Sequence, residues 1–491
     1  MKSKLFITII ITLFTVNGIA QTSVHWNDSA RQPAFKFQRF TDKEWETTSL
    51  ASPNELKWFT DSRFGMFIHL GVSSLKGVEL GWGKQTHKKP DSGIGPVPDS
   101  VYNHLYKDFK LENFEAKRLV KIAKDAGMKY IVVITKHHDG FHMWNTAFSE
   151  YNIMKTPFGR DYLKEFADAV HESGLKLGFY YSQRDWYHPD YDPIDEKTKK
   201  DLDKRGLNNI PLGEKVHISE KQQRYQQYMY SQIGELLTNY GKVDILWFDA
   251  VWWGGMFTQE MWNSKNIYRL ARKLQPGIII NNRASIPGDF DTPEQHVGDF
   301  QNYRPWETCM TITNSWAWKP DQKPKSAKEC ISILASTAGG DGNLLLNVGP
   351  TSDGTIESGE VKVLEEIGAW LKVNGESIYG TRGGVYYPSV NLTSTFKGSK
   401  LFLHLLKIQD EKLILPVIES RKIAKAYFLA NKHPVEVRQV DDNYEFSLPK
   451  ELPNKLNTVL VVEFDKTLNG IGPIKTSFHN IEKGNPKTHD F

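Results

Sequence analysis

From about residue 55 to 375 the chain alternates short apolar runs rich in Val, Ile and Phe with amphipathic segments of helical length. The runs expected to be strands lie at 64–70, 130–135, 175–181, 243–248, 278–282 and 343–348. Helices are expected between them at 112–126, 161–173, 220–240, 259–274, 327–335 and 358–373. Gly127, Gly174 and Gly241 stand where a helix C-terminus commonly turns left-handed. Strands that are apolar on both faces and separated by helices belong in a parallel sheet with covered faces. No GxGxxG or P-loop follows any of them, which argues against an open nucleotide-binding sheet. Repeat number and length suit a (β/α)8-like, TIM-type barrel.

After about residue 379 the pattern changes to short β-type runs at 401–406, 412–417, 424–429, 444–448 and 458–464, with polar turns and no helices between. This predicts a C-terminal antiparallel β-sandwich. At the other end, Lys2 and Lys4 precede an apolar run over 5–16, and Gly18-Ile19-Ala20 supplies small residues for cleavage. That is the pattern of a secretory signal peptide, too short to span a bilayer. The expected division is therefore a signal peptide at 1–20, a barrel at 21–378, a sandwich at 379–470 and a polar tail at 471–491, loose or draped on the surface. The expected location is secreted or periplasmic, without a membrane anchor. A balance of 62 Lys+Arg against 58 Asp+Glu gives no reason to expect nucleic acid. Cys309 and Cys330 make no disulfide framework or metal cluster; they either pair or stay as buried thiols. Oligomeric state is not readable.

In a barrel, chemistry sits at the C-terminal ends of the strands. Those ends carry His69, then Lys136-His137-His138-Asp139, then Tyr180, Tyr181 and Trp186, then Asp249, then Asn281-Asn282-Arg283. Glu294 and Glu307 follow downstream. Asp249 stands out, because a carboxylate straight after Ile-Leu-Trp-Phe is costly at a buried strand mouth unless partnered. The adjacent histidines are not expected to hold a metal, since neighbours on a strand end point apart and no third ligand has suitable spacing. No cofactor is implied. Carboxylates with His, Trp and Arg fit glycoside hydrolysis, which needs one carboxylate at the anomeric carbon and another group to protonate the leaving oxygen. A non-catalytic sugar-binding protein on the same scaffold is the alternative.

The motifs Phe64-Gly-Met-Phe-Ile-His-Leu-Gly, Thr135-Lys-His-His-Asp-Gly-Phe, Trp247-Phe-Asp, Trp306-Glu-Thr-Cys, Gly342-Asn-Leu-Leu-Leu-Asn-Val-Gly and Gly375-Glu-Ser-Ile-Tyr occur in this order. With them the sequence resembles the α-L-fucosidases of glycoside hydrolase family 29 over about two thirds of the chain. The resemblance implies a retaining exo-hydrolase with Asp249 as nucleophile, acting on a terminal fucosyl residue of a glycan. It assigns the sugar to His69, His137, His138, Trp82 and Arg283, with Glu79 beside it. Tyr181 and Trp316 are counted with this set as aromatic walls. Glu294 and Glu307 both remain candidates for the acid/base. Glu294 is favoured because its Thr-Pro-Glu context suits a loop reaching the leaving oxygen, whereas Glu307 suits a supporting group in the pocket. Three positions depart from the family pattern: Ala250 follows the nucleophile in place of Gly, with Trp252-Trp253 next; Val78-Glu79-Leu80 replaces Ser-Glu-Trp; and Trp316-Ala317-Trp318 replaces Trp-Gly-Tyr. Since an apolar pocket rejects an added hydroxyl by only about 10²-fold, α-L-galactoside cleavage is an alternative activity. Basic segments at 84–89 and 197–205 raise the further expectation of an anionic or sulfated glycan.

Overall fold

The computed structural model describes residues 50–478 except 87–92, 208–209, 212–213, 215, 251–256, 298–299 and 409. Seven parallel strands form the first unit: β1 (Phe64–Ile68), β2 (Tyr130–Lys136), β3 (Lys176–Tyr181), β4 (Ile245–Phe248), β5 (Ile279–Ile280), β6 (Glu307–Thr311) and β7 (Asn343–Val348). Their order in the sheet is β5-β4-β3-β2-β1-β7-β6. Between β5 and β6 the chain from Asp289 to Gln295 takes the place of an eighth stave. Isolated parallel bridges tie Asn281 to Phe290, Asp291 to Trp306 and Glu294 to Cys309. The result is a TIM-like barrel.

The helices outside it are α1 (Pro53–Ser62), α2 (Ala116–Asp125), α3 (Tyr162–Ser173), α4 (Glu196–Lys204), α5 (Glu220–Asn239), α6 (Ser264–Leu274), α7 (Ala327–Gly339) and α8 (Ser358–Asn374). Their starts are set by side-chain caps. Ser52 and Ser326 each form a capping box, while Asp161 and Ser219 accept a backbone N–H in the first turn. Gly127, Gly174 and Gly241 have φ of 89°, 77° and 73°, the left-handed turn expected after α2, α3 and α5.

Two apolar layers separate the faces of the sheet. One lies between strands and helices. The other fills the barrel with Phe67, Tyr130, Val132, Ile134, Tyr180, Ile245, Trp247, Cys309 and Leu345. Cys309 thus faces inward while Cys330 belongs to the outer layer on α7, and both are buried free thiols.

The second unit has a five-stranded and a three-stranded antiparallel sheet. Its strands are β8 (Arg382–Gly383), β9 (Leu392–Lys397), β10 (Lys400–Leu405), β11 (Lys412–Pro416), β12 (Ile423–Phe428), β13 (Val437–Val440), β14 (Asn443–Ser447) and β15 (Thr458–Phe464). The sheet orders are β8-β9-β10-β15-β12 and β11-β14-β13, and both sheets share one core that includes Leu403, Leu415, Phe446 and Val462. The segment read as a tail begins attached: Ile474 exchanges backbone hydrogen bonds with Val385 and Tyr387, and Thr476 is buried. Residues 1–20 and 479–491 lie outside the described residues. Among the described residues no helix is long and apolar enough to cross a membrane.

The two units meet at the floor of the barrel. Buried Arg63 reaches the Asp341 carboxylate, donates to the Gly342 and Thr381 carbonyls at 3.1 and 2.6 Å, and so ties α1, β7 and β8 together. Asp341 also accepts the Gly383 N–H at 2.9 Å. Removing one partner of a buried pair leaves the other charge unpaired. Arg63→Met is therefore expected to destabilise the protein by about 3–5 kcal/mol, read as a lower urea midpoint.

Candidate active site

Asp249 follows β4 directly, and its backbone is held from three directions. Asn281 bonds the Phe248 N–H and C=O at 2.9 Å each, Gln183 Oε1 accepts the Asp249 N–H at 3.0 Å, and the Arg283 carbonyl accepts the Ala250 N–H at 3.0 Å. Its carboxylate is equally fixed. Tyr180 donates its hydroxyl to Oδ2 at 2.8 Å and Arg283 Nη1 donates to Oδ1 at 3.1 Å. His138 Nε2 lies 3.6 Å from Oδ2.

Arg283 is buried and is itself oriented by Thr292, whose hydroxyl accepts from Nε at 2.8 Å and whose carbonyl accepts from Nη2 at 3.0 Å. Its guanidinium lies 4.7 Å over the Trp247 ring. Its Nη2 also reaches Glu294 Oε2 at 2.8 Å. One guanidinium therefore bridges Asp249 and Glu294. The Glu294 backbone is bracketed by β6, with Cys309 N–H bonding to the Pro293 carbonyl and Gln295 N–H to the Cys309 carbonyl, each at 3.0 Å.

His69, His137, Tyr180 and Trp316 line one continuous wall. The His69 ring is 6.0 Å from His137, 5.8 Å from Tyr180 and 4.9 Å from Trp316. The His69 tautomer follows from its neighbours. Asn347 Nδ2 donates to the Trp316 carbonyl at 2.8 Å, so Asn347 Oδ1 faces His69 Nδ1 at 2.5 Å and accepts its N–H. That leaves His69 Nε2 with a lone pair, an acceptor for a hydroxyl. Burial pushes His69 and His137 down to about 3 and His138 well below its ordinary value, so all three are neutral near pH 7. Trp82 packs edge-on to His138 at 5.4 Å and to Trp186 at 4.9 Å.

Several expectations are corrected by this geometry. Tyr181 lies on the other face of β3, and its hydroxyl bonds Gln232 on α5 at 2.8 Å, so it does not line the pocket. Tyr180, not counted at first, takes that place; its register partner is Trp247, which shares a face with Asp249 two residues on. Glu307 is also displaced. It pairs with Asn343 at the N-terminal end of β6, the floor of the barrel, where Tyr130 Oη and Trp247 Nε1 donate to it at 2.5 and 3.1 Å.

The two histidines do not point apart. They lie beyond the end of β2 with ring centroids 4.0 Å apart, and with Asp249 they bring one ligand-type atom each within 4.8 Å of one another. A cation there would meet the Arg283 guanidinium already on the same carboxylate, and like-charge repulsion opposes it. Among the described residues, part of the charge of the two basic segments is neutralised. Lys84 is buried near Asp99, residues 196–204 form α4 with Lys199 paired to Asp203, and Arg205 pairs with Asp201 and Glu214. Residues 87–89 and Trp252-Trp253 lie outside the described residues.

Burial pushes the Glu307 carboxyl up to about 7 from 4.5, against the lowering effect of its two donors. The folded state then holds this proton more tightly than the unfolded chain, so the stability it contributes is full below the unfolded value and is lost as pH rises to about 7. Glu307→Gln, which resembles the protonated acid, is expected to flatten the fall in urea midpoint over that window. Equal slopes in wild type and variant would refute this.

A family model described as Alpha-L-fucosidase matches residues 32–376. Plasma alpha-L-fucosidase of Homo sapiens is 30% identical over 405 residues, covering 76% of this chain and 80% of that protein. An alpha-L-fucosidase of Dictyostelium discoideum is 29% identical over 414 residues, covering 77% and 85%. Among solved structures, alpha-L-fucosidase isoenzyme 1 from Paenibacillus thiaminolyticus superposes with a TM-score of 0.72 at 32% identity, covering 84% of this chain and 99% of that one. Taken with the barrel and the carboxylates at its mouth, these likenesses show that the chain belongs to the α-L-fucosidases, glycoside hydrolase family 29.

Proposed function

We propose that the protein is an exo-acting, retaining α-L-fucosidase that removes terminal α-L-fucosyl residues from glycans through a covalent intermediate on Asp249. The observation that carries this reading is the single guanidinium shared by Asp249 and Glu294. Two carboxylates and one arginine leave a net charge of −1. Tyr180 and Arg283 both hold the Asp249 carboxylate, which suits it to attack, and a retaining mechanism then requires Glu294 to carry the proton. Glu294 then protonates the leaving oxygen while an Asp249 oxygen attacks the anomeric carbon. In the second step Glu294 takes a proton from water, the water oxygen bonds the anomeric carbon, and Asp249 leaves as carboxylate. Neutral His69, His137 and His138 suit the sugar hydroxyls, since an imidazole offers one donor and one acceptor. The exported location proposed from residues 1–20 accords with a glycan substrate met outside the cytoplasm.

Azide distinguishes the two carboxylates. Asp249→Asn is expected to lose at least about 10³-fold in kcat on an aryl α-L-fucoside. With azide, Asp249→Gly should give the β-fucosyl azide by one inversion, whereas Glu294→Ala should give the α-azide by two. Product anomers read by NMR check both; an α-azide from the Asp249 variant would sink the nucleophile assignment. Glu307→Gln should keep turnover and give no azide product.

A further inference from the structure

Glu79 stands in the loop after β1, and its side chain is only 19% exposed. Its Oε1 accepts the Leu80 N–H at 3.1 Å and the Ala317 N–H at 2.7 Å. Its Oε2 accepts the Trp316 N–H at 3.1 Å and lies 3.6 Å from Lys319 Nζ. A carboxylate has about four lone-pair sites, and here each oxygen already faces two donors. Nothing is left over for a sugar hydroxyl. The carboxylate instead grips the Trp316-Ala317 backbone from one side, while Asn347 Nδ2 holds the Trp316 carbonyl from the other. Asn347 is the same amide that assigns the His69 proton.

We propose that Glu79 is a positioning residue that sets sugar affinity by fixing the Trp316 wall and, through Trp316 and Asn347, the His69 acceptor, and that it makes no bond to the sugar. The proposal rests on the fucosidase reading of this pocket, which turnover by the wild-type protein tests separately.

The test is a double-mutant cycle on 4-nitrophenyl α-L-fucoside with wild type, Glu79→Ala, Trp316→Ala and the double variant. Glu79→Ala should raise KM by about 10-fold or more while kcat stays within a few-fold, and it should add less than about 2-fold once Trp316 is Ala. Glu79→Gln keeps one acceptor oxygen and should fall between wild type and Glu79→Ala, which keeps the test open if the alanine variant fails to fold. Multiplicative losses in the double variant would mean that Glu79 touches the sugar itself and would overturn the proposal, as would a loss confined to kcat or an unchanged KM. If the wild type turned nothing over, the same cycle run on L-fucose binding by calorimetry would decide the matter independently.

Discussion

A positive charge buried at the top of a hydrophobic barrel is the constraint on which the rest of this molecule turns. Arg283 has almost no water around it, and a guanidinium cannot shed its proton to escape the cost. It must be neutralised by its surroundings, and the fold supplies a carboxylate from the end of β4 and another from the closing segment. The flat cation rests on the Trp247 ring, and Thr292 fixes its third direction. Each partner comes from a different stave, so the charge fastens the mouth of the barrel as much as it serves the chemistry.

Below that layer the barrel changes character. Phe67, Tyr180 and Trp247 pack ring against ring, with Tyr180 stacked on Trp247 at 5.6 Å. Tyr180 and Trp247 each turn a polar edge outward, to Asp249 above and to Glu307 below. Glu307 thus lies beneath an aromatic floor, and its burial there favours the protonated acid over the pull of its two donors. Aromatic residues make up 12% of the chain; some form this floor, while Trp144, Trp262 and Trp306 are fully buried core.

The alternation of apolar strands and helices made the barrel legible, and the strand-end rule picked out His69, His137, His138, Asp249 and Arg283, which the fold brings together. What escaped was whatever lacked an apolar signature. β9 reads Leu-Thr-Ser-Thr-Phe-Lys, a polar string that becomes a strand because α7 covers it. The α4 segment looks like a charged loop, yet its acids and bases alternate at four-residue spacing and pair along a helix. Tyr180 and Tyr181 are indistinguishable in the sequence; only the register against Trp247 says which faces Asp249. The roles of Glu79 and Glu307 depend on Trp316 and Tyr130, 237 and 177 positions away, which no local pattern encodes.

The stave at 289–295 joins its neighbours only by single bridges, whereas the other strands are zipped together along ladders. A residue gained or lost there moves Thr292 and Glu294, and with them the groups that hold Arg283, while the ladders of the other strands are built without it. Asp249, by contrast, follows directly on a ladder strand whose displacement would disturb the whole ring. The two halves of the chemistry are therefore unequally free to drift. On the roles proposed above, a change in this segment acts first on the group at the departing oxygen and reaches Asp249 only through Thr292 and Arg283.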